Sequence, residues 1–214
     1  MKKDLTELVF ILDKSGSMSG LEKDTIGGFN SLIEKQRKEE GEAIVSTVLF
    51  SDNSTVIHNR ITIKEVPLLT SKEYYVSGCT ALLDAVGNAI NYILIKHNEM
   101  SEVEVPEKTL FIITTDGQEN ASREYNYKKL KNLIDNVKEK YKWDFIFLGA
   151  NIDTIGEASK FGIDANNAVS YNCDEKGDGL NYECLGDAII SIRKNKKLTS
   201  NWRKKIDEDH KNRK

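Results

Sequence analysis

The segment from Glu7 to Ser17 constrains the fold most strongly, because a run of apolar residues ends there in a polar, oxygen-rich turn. The run Leu8-Val9-Phe10-Ile11-Leu12 predicts a strand buried on both faces, as in the middle of a parallel sheet. Directly after it, Asp13, Ser15 and Ser17 alternate along the chain. A loop leaving this strand can direct one carboxylate and two hydroxyls to one point, and such oxygens are the ligands that a hard cation prefers.

The same residue types have a second, more ordinary use. Asp, Ser and Gly also form turns and helix N-caps, and a D-x-S-x-S string by itself is typical of a connection between a strand and a helix. The loop therefore leaves two interpretations open, a cation site or a connecting turn. Other parts of the chain have to decide between them.

The length and composition indicate one soluble globular domain. The 214 residues suffice for one sizeable core, and 39% hydrophobic with 30% charged residues suit a globular protein. The apolar run is too short for a signal peptide and no run is long enough to span a membrane, so we expect a cytoplasmic protein with no membrane partner. The cysteines Cys79, Cys173 and Cys184 lack zinc-type spacing and are expected to be reduced thiols.

The charge is distributed unevenly along the chain. From Arg193 to Lys214 there are ten Lys or Arg against three Asp or Glu, a balance of +7, which leaves -10 for the preceding residues. We interpret residues 193–214 as a basic C-terminal tail that follows a domain of residues 1–192. A solvated segment is the favoured interpretation, with nucleic acid or an acidic protein as alternative partners. Deleting the residues after Thr199 is expected to leave folding nearly intact, because they show little apolar periodicity.

Strand-like and helical patterns alternate after the first strand. Strand-like runs lie at residues 42–50, 55–63, 108–115, 145–148 and 168–171, and helical periodicity lies at 21–33, 82–94, 127–137, 152–161 and 180–192. The turn formers at residues 51–54 predict that strands two and three form an antiparallel hairpin. The pattern predicts an α/β fold: a doubly wound, mostly parallel six-stranded sheet with one antiparallel edge strand and helices on both faces.

Two further oxygen-bearing residues fall at the ends of predicted elements. In open α/β sheets ligands bind outside the carboxyl ends of the strands, where the strand order reverses. If the order is 3-2-1-4-5-6, strands one and four flank this crevice, and Asp13 and Asp116 end those two strands. Thr80 begins a predicted helix, where it can equally be an N-cap.

These three pieces, Asp13-x-Ser15-x-Ser17, Thr80 and Asp116-Gly117, together resemble the von Willebrand factor A (vWA) domain. That family has a metal-ion-dependent adhesion site (MIDAS) built from a D-x-S-x-S loop, a distant Thr and a distant Asp. The likeness covers roughly residues 4–192 and includes the flanking strings F-I-L-D-x-S-G-S-M, G-x-T-A-L-x-D-A and I-x-T-D-G. Cys79 is a departure, because the family usually has Gly there, and its thiol could crowd the loop.

The resemblance implies a set of metal ligands. Ser15, Ser17 and Thr80 would offer hydroxyls, while Asp13 and Asp116 would bind Mg²⁺ or Mn²⁺ directly or through water. Because few of these ligands are anionic, the ion would keep enough positive charge to attract an Asp or Glu of a protein partner. The resemblance therefore implies a metal-dependent protein-binding module and not an enzyme, similar to the small vWA proteins associated with bacterial tellurite and stress resistance.

Two alternatives to this function stay open, a metal-dependent hydrolase that uses the same site and a metal-free scaffold domain. The sequence has no phosphate-binding P-loop, dinucleotide fingerprint or G-x-S-x-G elbow. We interpret His58, His97 and His210 as ordinary surface residues, so no general base is placed beside the proposed ion.

Several residues near the predicted site have no assigned role. Lys14 and Met18 flank the ligands, and Asn151 and Asp153 follow the fifth strand at the same edge of the sheet, so these four either form a rim or are plain loop residues. The pair Tyr74-Tyr75 is either a surface aromatic pair or part of a binding edge.

Overall fold

A single six-stranded sheet organises the computed structural model, which describes residues 1–172, 174–196 and 198–213. The strands are β1 (Lys2–Asp13), β2 (Glu42–Phe50), β3 (Ser54–Thr62), β4 (Pro106–Thr115), β5 (Asp144–Gly149) and β6 (Ala168–Ser170). Their order is β3-β2-β1-β4-β5-β6, with β3 antiparallel to β2 and the other neighbours parallel. The predicted fold class and antiparallel edge strand are confirmed, and the strand order is the one assumed in placing Asp13 and Asp116 beside one crevice.

Helices cover both faces of the sheet. They are α1 (Glu22–Arg37), α2 (Leu82–Glu99), α3 (Tyr127–Tyr141), α4 (Thr154–Lys160), α5 (Glu175–Arg193) and α6 (Lys204–Asn212). Helix α5 begins earlier than its apolar periodicity predicts, because the Asp174 side chain accepts a hydrogen bond from Gly177 N at 2.8 Å and caps the helix there. No helix within the described ranges is long and apolar enough to cross a membrane.

The apolar run of β1 divides its side chains between two cores. Leu8, Phe10 and Leu12 face the cluster that contains residues of α1 and α5, while Val9 and Ile11 face the cluster that contains residues of α2 and α3. All five are at most 1% exposed. Asp13 is the last residue of β1, so it lies at the carboxyl end of the strand, where the sheet ends between the two helical layers.

A buried cluster around Glu7 lies in the middle of β1, six residues before Asp13. Glu7 is completely buried, and its carboxylate lies 2.6 Å from His97 Nε2 and accepts a hydrogen bond from Arg60 Nε at 2.7 Å. His97 itself is 7% exposed. The interpretation of this histidine as a surface residue is therefore wrong. Its burial could not be predicted, because its partner Glu7 lies 90 residues away in the sequence and leaves no local pattern.

His58 is a second correction to the histidine assignments. It is 4% exposed, and its Nδ1 lies 3.0 Å from Thr47 Oγ1 on the neighbouring strand β2.

Among the cysteines, Cys79 is exposed and Cys184 is buried, and both are free thiols. The prediction for Cys173 lies outside the described residues.

The C-terminal segment packs against the domain instead of extending into solvent. Ile206 of α6 is 2% exposed and belongs to the same core cluster as Leu8, and Trp202 Nε1 donates a hydrogen bond to Asn166 O at 3.0 Å. The expectation that this segment buries little is therefore wrong. One isoleucine and one tryptophan are too few to produce a helical periodicity, although they suffice to dock a short helix.

Replacing Ile206 with Ala should lower the free energy of unfolding by about 2–5 kcal/mol, the usual effect of truncating a buried isoleucine. Urea denaturation followed by circular dichroism measures this change. Lys204→Ala is a matched control on the same helix, because Lys204 is exposed and lies 3.9 Å from its carboxylate partner Glu208. Equal stability of the two variants would show that α6 does not contribute to the core.

Candidate metal centre

The carboxylate of Asp13 is held in place from two sides. Its Oδ1 accepts a hydrogen bond from Ser15 N at 2.7 Å, and its Oδ2 accepts one from Thr115 Oγ1 at 2.6 Å. The backbone carbonyl of Asp13 accepts a hydrogen bond from Tyr74 OH at 2.5 Å. The end of β1 is thereby joined to the end of β4 and to the segment before α2, so the orientation of this carboxylate is set by three parts of the chain.

The hydroxyls of Ser15 and Ser17 lie on the same side of this loop, with their Oγ atoms 3.0 Å apart. Ser17 Oγ also donates a hydrogen bond to Asp116 Oδ1 at 2.5 Å. The Thr80 hydroxyl lies close to Ser17, beside Gly117. A Cβ added at Gly117 would lie 3.0 Å from Ser17 Oγ and 3.1 Å from Thr80 Oγ1. The structure thus brings all five predicted side chains to one edge of the sheet, and their role as metal ligands stays a prediction.

The two carboxyl groups at this edge of the sheet, Asp13 and Asp116, form an environment that favours a bound cation. Burial raises the pKa of both Asp13 and Asp116 above their ordinary values, and the negative charge of Asp116 raises the pKa of Asp13 further. A divalent cation between these carboxylates would reverse the effect and stabilise both negative charges. The donor set of two carboxylates and three hydroxyls matches the oxygen preference of Mg²⁺ and Mn²⁺.

No group of three or more His, Cys, Asp or Glu suited to a metal ion occurs among the described residues. The centre described above has only two carboxylates, so it differs from sites built mainly from anionic or nitrogen and sulfur ligands. Hydroxyl oxygens would have to supply the remaining protein ligands. Such a donor set leaves room for waters or for a ligand from another molecule.

Thr80 does not act as the N-cap of α2. The cap position is Ala81, which has no side-chain capping hydrogen bond, and the backbone N–H of Leu83 instead donates to Glu119 Oε2 at 2.9 Å. Thr80 N donates to Asn120 Oδ1 at 2.9 Å, and Asn120 N donates to Thr80 O at 3.0 Å. The start of α2 is therefore fastened to the loop that follows Asp116.

The same loop is also bound by Asp84 of α2. The Asp84 carboxylate accepts hydrogen bonds from the backbone N–H groups of Arg123, Glu124 and Tyr125 at 2.7, 3.0 and 2.8 Å. Asp84, Glu119 and Asn120 thus position Thr80 relative to Asp116. Sequence reasoning missed these three residues, although Asp84 belongs to the G-x-T-A-L-x-D-A string that contains Thr80.

The four residues that flank the predicted ligands without an assigned role separate into a buried pair and an exposed pair. Lys14 and Met18 are buried, and Lys14 Nζ lies 4.1 Å from the centre of the exposed Tyr75 ring. Asn151 and Asp153 are exposed at the same edge of the sheet.

The aromatic pair also divides. Tyr74 is 1% exposed and its hydroxyl donates a hydrogen bond to the backbone carbonyl of Asp13, so it is not a surface aromatic. Cys79 does not crowd the loop, because its side chain is exposed and its backbone N–H donates to Asp52 Oδ1 at 3.1 Å.

The strand order and the loops at this edge define a vWA-type α/β fold, and solved vWA domains share it. The mussel byssus protein PTMP1, solved with a zinc-occupied MIDAS motif, has a TM-score of 0.59 at 16% identity over 86% of this chain and 46% of that chain. A von Willebrand factor type A protein from Catenulispora acidiphila has a TM-score of 0.58 at 14% identity over 87% of this chain and 42% of that chain.

The vWF domain of the type V pili tip protein Mfa5 from Porphyromonas gingivalis has a TM-score of 0.63 at 10% identity, over 86% of this chain and 94% of that domain. The chain thus spans less than half of PTMP1 and of the Catenulispora protein. No protein-family model and no curated protein matches the sequence. Identities this low establish the fold and leave the function to be argued from the site.

Proposed function

We propose that this protein is a metal-dependent protein-binding module with a complete MIDAS. Asp13, Ser15, Ser17, Thr80 and Asp116 would hold Mg²⁺ or Mn²⁺, and an Asp or Glu of a partner protein would complete the coordination of the ion. The observation that carries the proposal is the 2.5 Å hydrogen bond between Ser17 and Asp116, because it joins the loop after β1 to the end of β4 beside the Thr80 hydroxyl.

The chemistry of the ligand set supports a binding role. Mg²⁺ prefers six oxygens and keeps waters readily, so a partner carboxylate can replace a water without any change in the protein ligands. One structural neighbour, PTMP1, has a zinc-occupied MIDAS motif, and another is a domain of a pilus tip protein. The finer assignments, a cytoplasmic location and a role in bacterial stress or tellurite resistance, belong to the same proposal and rest on the sequence resemblance.

A binding role is also favoured over hydrolysis by the positions of the histidines. Hydrolysis at a metal site usually requires a general base within hydrogen-bond reach of the attacking water. The ring nitrogens of His58, His97 and His210 contact Thr47, Glu7 and Asn172, respectively. We therefore propose that the centre binds a carboxylate and does not activate water.

Titration calorimetry with Mg²⁺ and Mn²⁺ tests the metal site. Thr80→Ala should weaken binding by at least about tenfold, because groups that merely orient ligands already contribute about 10- to 100-fold to metal affinity. Thr55→Ala is the matched control, since Thr55 is an exposed threonine on the edge strand β3 and should bind metal as the wild type does. Undiminished binding by Thr80→Ala would remove this residue from the site.

The partner-binding role needs a second measurement. Partners captured by the wild-type protein in Mg²⁺ should be released by EDTA and should not be captured by Asp116→Ala. Retention of the same partners under all conditions would contradict a metal-bridged mechanism. Metal-dependent turnover of a phosphate or peptide substrate, abolished in Asp116→Ala, would instead establish a hydrolase.

A further inference from the structure

Helix α5 carries two buried hydrogen-bond acceptors without partners. Asp178 is 3% exposed and Asn181 is 2% exposed, and neither Asp178 Oδ2 nor Asn181 Oδ1 has a hydrogen-bond partner within the described part of the chain. Buried acceptors without a donor are unfavourable and rare in folded proteins. Neither residue belongs to the proposed metal centre, so the ligands of that centre do not explain them.

One proton would provide a donor for this pair. Residues three positions apart lie on the same side of a helix, with about 5–6 Å between their Cβ atoms, so Asp178 and Asn181 are neighbours. A protonated carboxyl group has one O–H donor, whereas an ionised carboxylate only accepts hydrogen bonds. Neutral Asp178 can therefore donate to Asn181 Oδ1, and it places no charge in the protein interior.

The charges that face Asp178 favour this proton. Asp24 faces it from α1, Asp116 from the loop after β4, and Asp174 from the N-cap of α5. Burial and these three negative charges raise the pKa of Asp178 to about 7. Tyr182 lies beside it on α5 and stays neutral, because burial and the charge of Asp178 raise the pKa of this tyrosine above its ordinary value. Asp178 is thus the group that changes charge near neutral pH.

The basic residues around the start of α5 do not compensate these negative charges. Lys176 Nζ lies 2.7 Å from Asp209 Oδ1, and Arg213 of α6 donates a hydrogen bond to the Asp174 carboxylate. Lys23 is exposed beside the groove between α1 and α5. The other charged side chains along this groove form the ion pairs Lys35–Asp187 and Lys205–Glu183. Within the described ranges, no basic side chain lowers the pKa of Asp178.

We propose that Asp178 is a proton-binding site that regulates the metal centre: the protein binds Mg²⁺ more weakly while Asp178 carries its proton, and Mg²⁺ binding releases this proton to the solvent. This inference rests on the proposed function, because Asp116 is one of the proposed ligands. A divalent cation at Asp116 attracts the negative charge of Asp178 and favours its ionised form. By linkage, ionised Asp178 strengthens Mg²⁺ binding by the same factor.

Titration calorimetry with Mg²⁺ at pH 6, 7 and 8 tests this linkage. Asp178→Asn is uncharged at every pH, and its amide can donate to Asn181 as a protonated carboxyl group does. Glu183→Gln is the matched control, because Glu183 is an exposed acid on the same helix with its partner Lys205. Repeating each titration in two buffers that differ in ionisation enthalpy counts the protons that are released.

From pH 6 to pH 8 the Mg²⁺ affinity of the wild type and of Glu183→Gln should rise by at least about threefold more than that of Asp178→Asn. A coupling of about fivefold, the lower end of the usual range, leaves this difference over two pH units around the pKa. Protons lost by Asp13 and Asp116 are common to all three proteins and cancel. An equal rise in all three would overturn this inference alone. Absence of Mg²⁺ binding by the wild type at every pH would overturn the proposed function and this inference with it.

Infrared spectroscopy detects the proton without the metal. At pH 6 the metal-free wild type should show the absorption of a protonated carboxyl group that Asp178→Asn lacks, and saturating Mg²⁺ should diminish this difference at pH 7. Identical spectra of the two metal-free proteins would show that Asp178 is already ionised. That result would overturn this inference, whether or not the centre binds Mg²⁺.

Discussion

Replacing Asp116 with Asn is expected to abolish Mg²⁺ binding and at the same time to make the metal-free protein more stable at pH 8. The affinity should fall by at least about 100-fold, because a direct ligand should contribute no less than the supporting residues that give about 10- to 100-fold. The stability should rise because burial raises the pKa of Asp116, which means that its charge is unfavourable in the folded state without a cation. Thermal unfolding with and without Mg²⁺ measures both effects.

The same argument predicts how the stability of the metal-free protein depends on pH. A carboxyl whose pKa is raised by folding binds its proton more tightly in the folded state than in the unfolded state. Its stabilising effect is therefore complete below the unfolded pKa of 3.8 and is lost as the pH rises through the higher folded pKa. Metal-free wild-type protein should thus lose stability as the pH is raised above about 4, and Mg²⁺ should restore it by binding only the folded state.

Asp178 supplies a control for this experiment. It is 3% exposed on α5, and burial together with the charges of Asp24, Asp174 and Asp116 raises its pKa to about 7. Because Asp178 is not among the proposed ligands, Asp178→Asn should also stabilise the protein, by at most about 4 kcal/mol at pH 8, but should leave Mg²⁺ binding in place. If Asp116→Asn binds Mg²⁺ as Asp178→Asn does, the assignment of Asp116 as a ligand is wrong.

Replacing Glu7 with Ala is expected to lower the free energy of unfolding by about 3–5 kcal/mol, because it leaves the largely buried Arg60 guanidinium without its carboxylate partner. Glu7 is completely buried between Arg60 and His97. Glu42→Ala is the matched control: Glu42 forms an ion pair of 2.5 Å with Lys2, but both side chains are exposed, so its loss should change stability by less than about 1 kcal/mol.

Denaturant unfolding at pH 7 compares these two variants. Mg²⁺ affinity should be unchanged in Glu7→Ala, because Glu7 lies six residues before Asp13 on β1, about 20 Å from the proposed metal centre at about 3.3 Å per residue. Similar stability of Glu7→Ala and Glu42→Ala would show that the buried cluster is not important for folding.

The fold was predictable because its signals are local. The apolar run of β1 by itself predicts a strand buried on both faces. The turn residues after β2 by themselves predict that β3 is antiparallel to β2. Once strands and helices alternate, few sheet topologies remain, and the reversal of strand order places the ends of β1 and β4 side by side. Asp13 and Asp116 could therefore be assigned to one crevice from their positions alone.

The sequence alone thus determined the layers of the fold, the antiparallel edge strand and, for the assumed strand order, the side chains that meet at the crevice, because hydrophobic periodicity and turn chemistry act between residues close together in the chain. Only the tertiary structure decided that Glu7 pairs with Arg60 and His97 and that Ile206 docks α6. The same holds for Asp84, which binds the loop after Asp116. These contacts join residues distant in the chain, and a single polar or apolar residue has no periodicity that could reveal its partner.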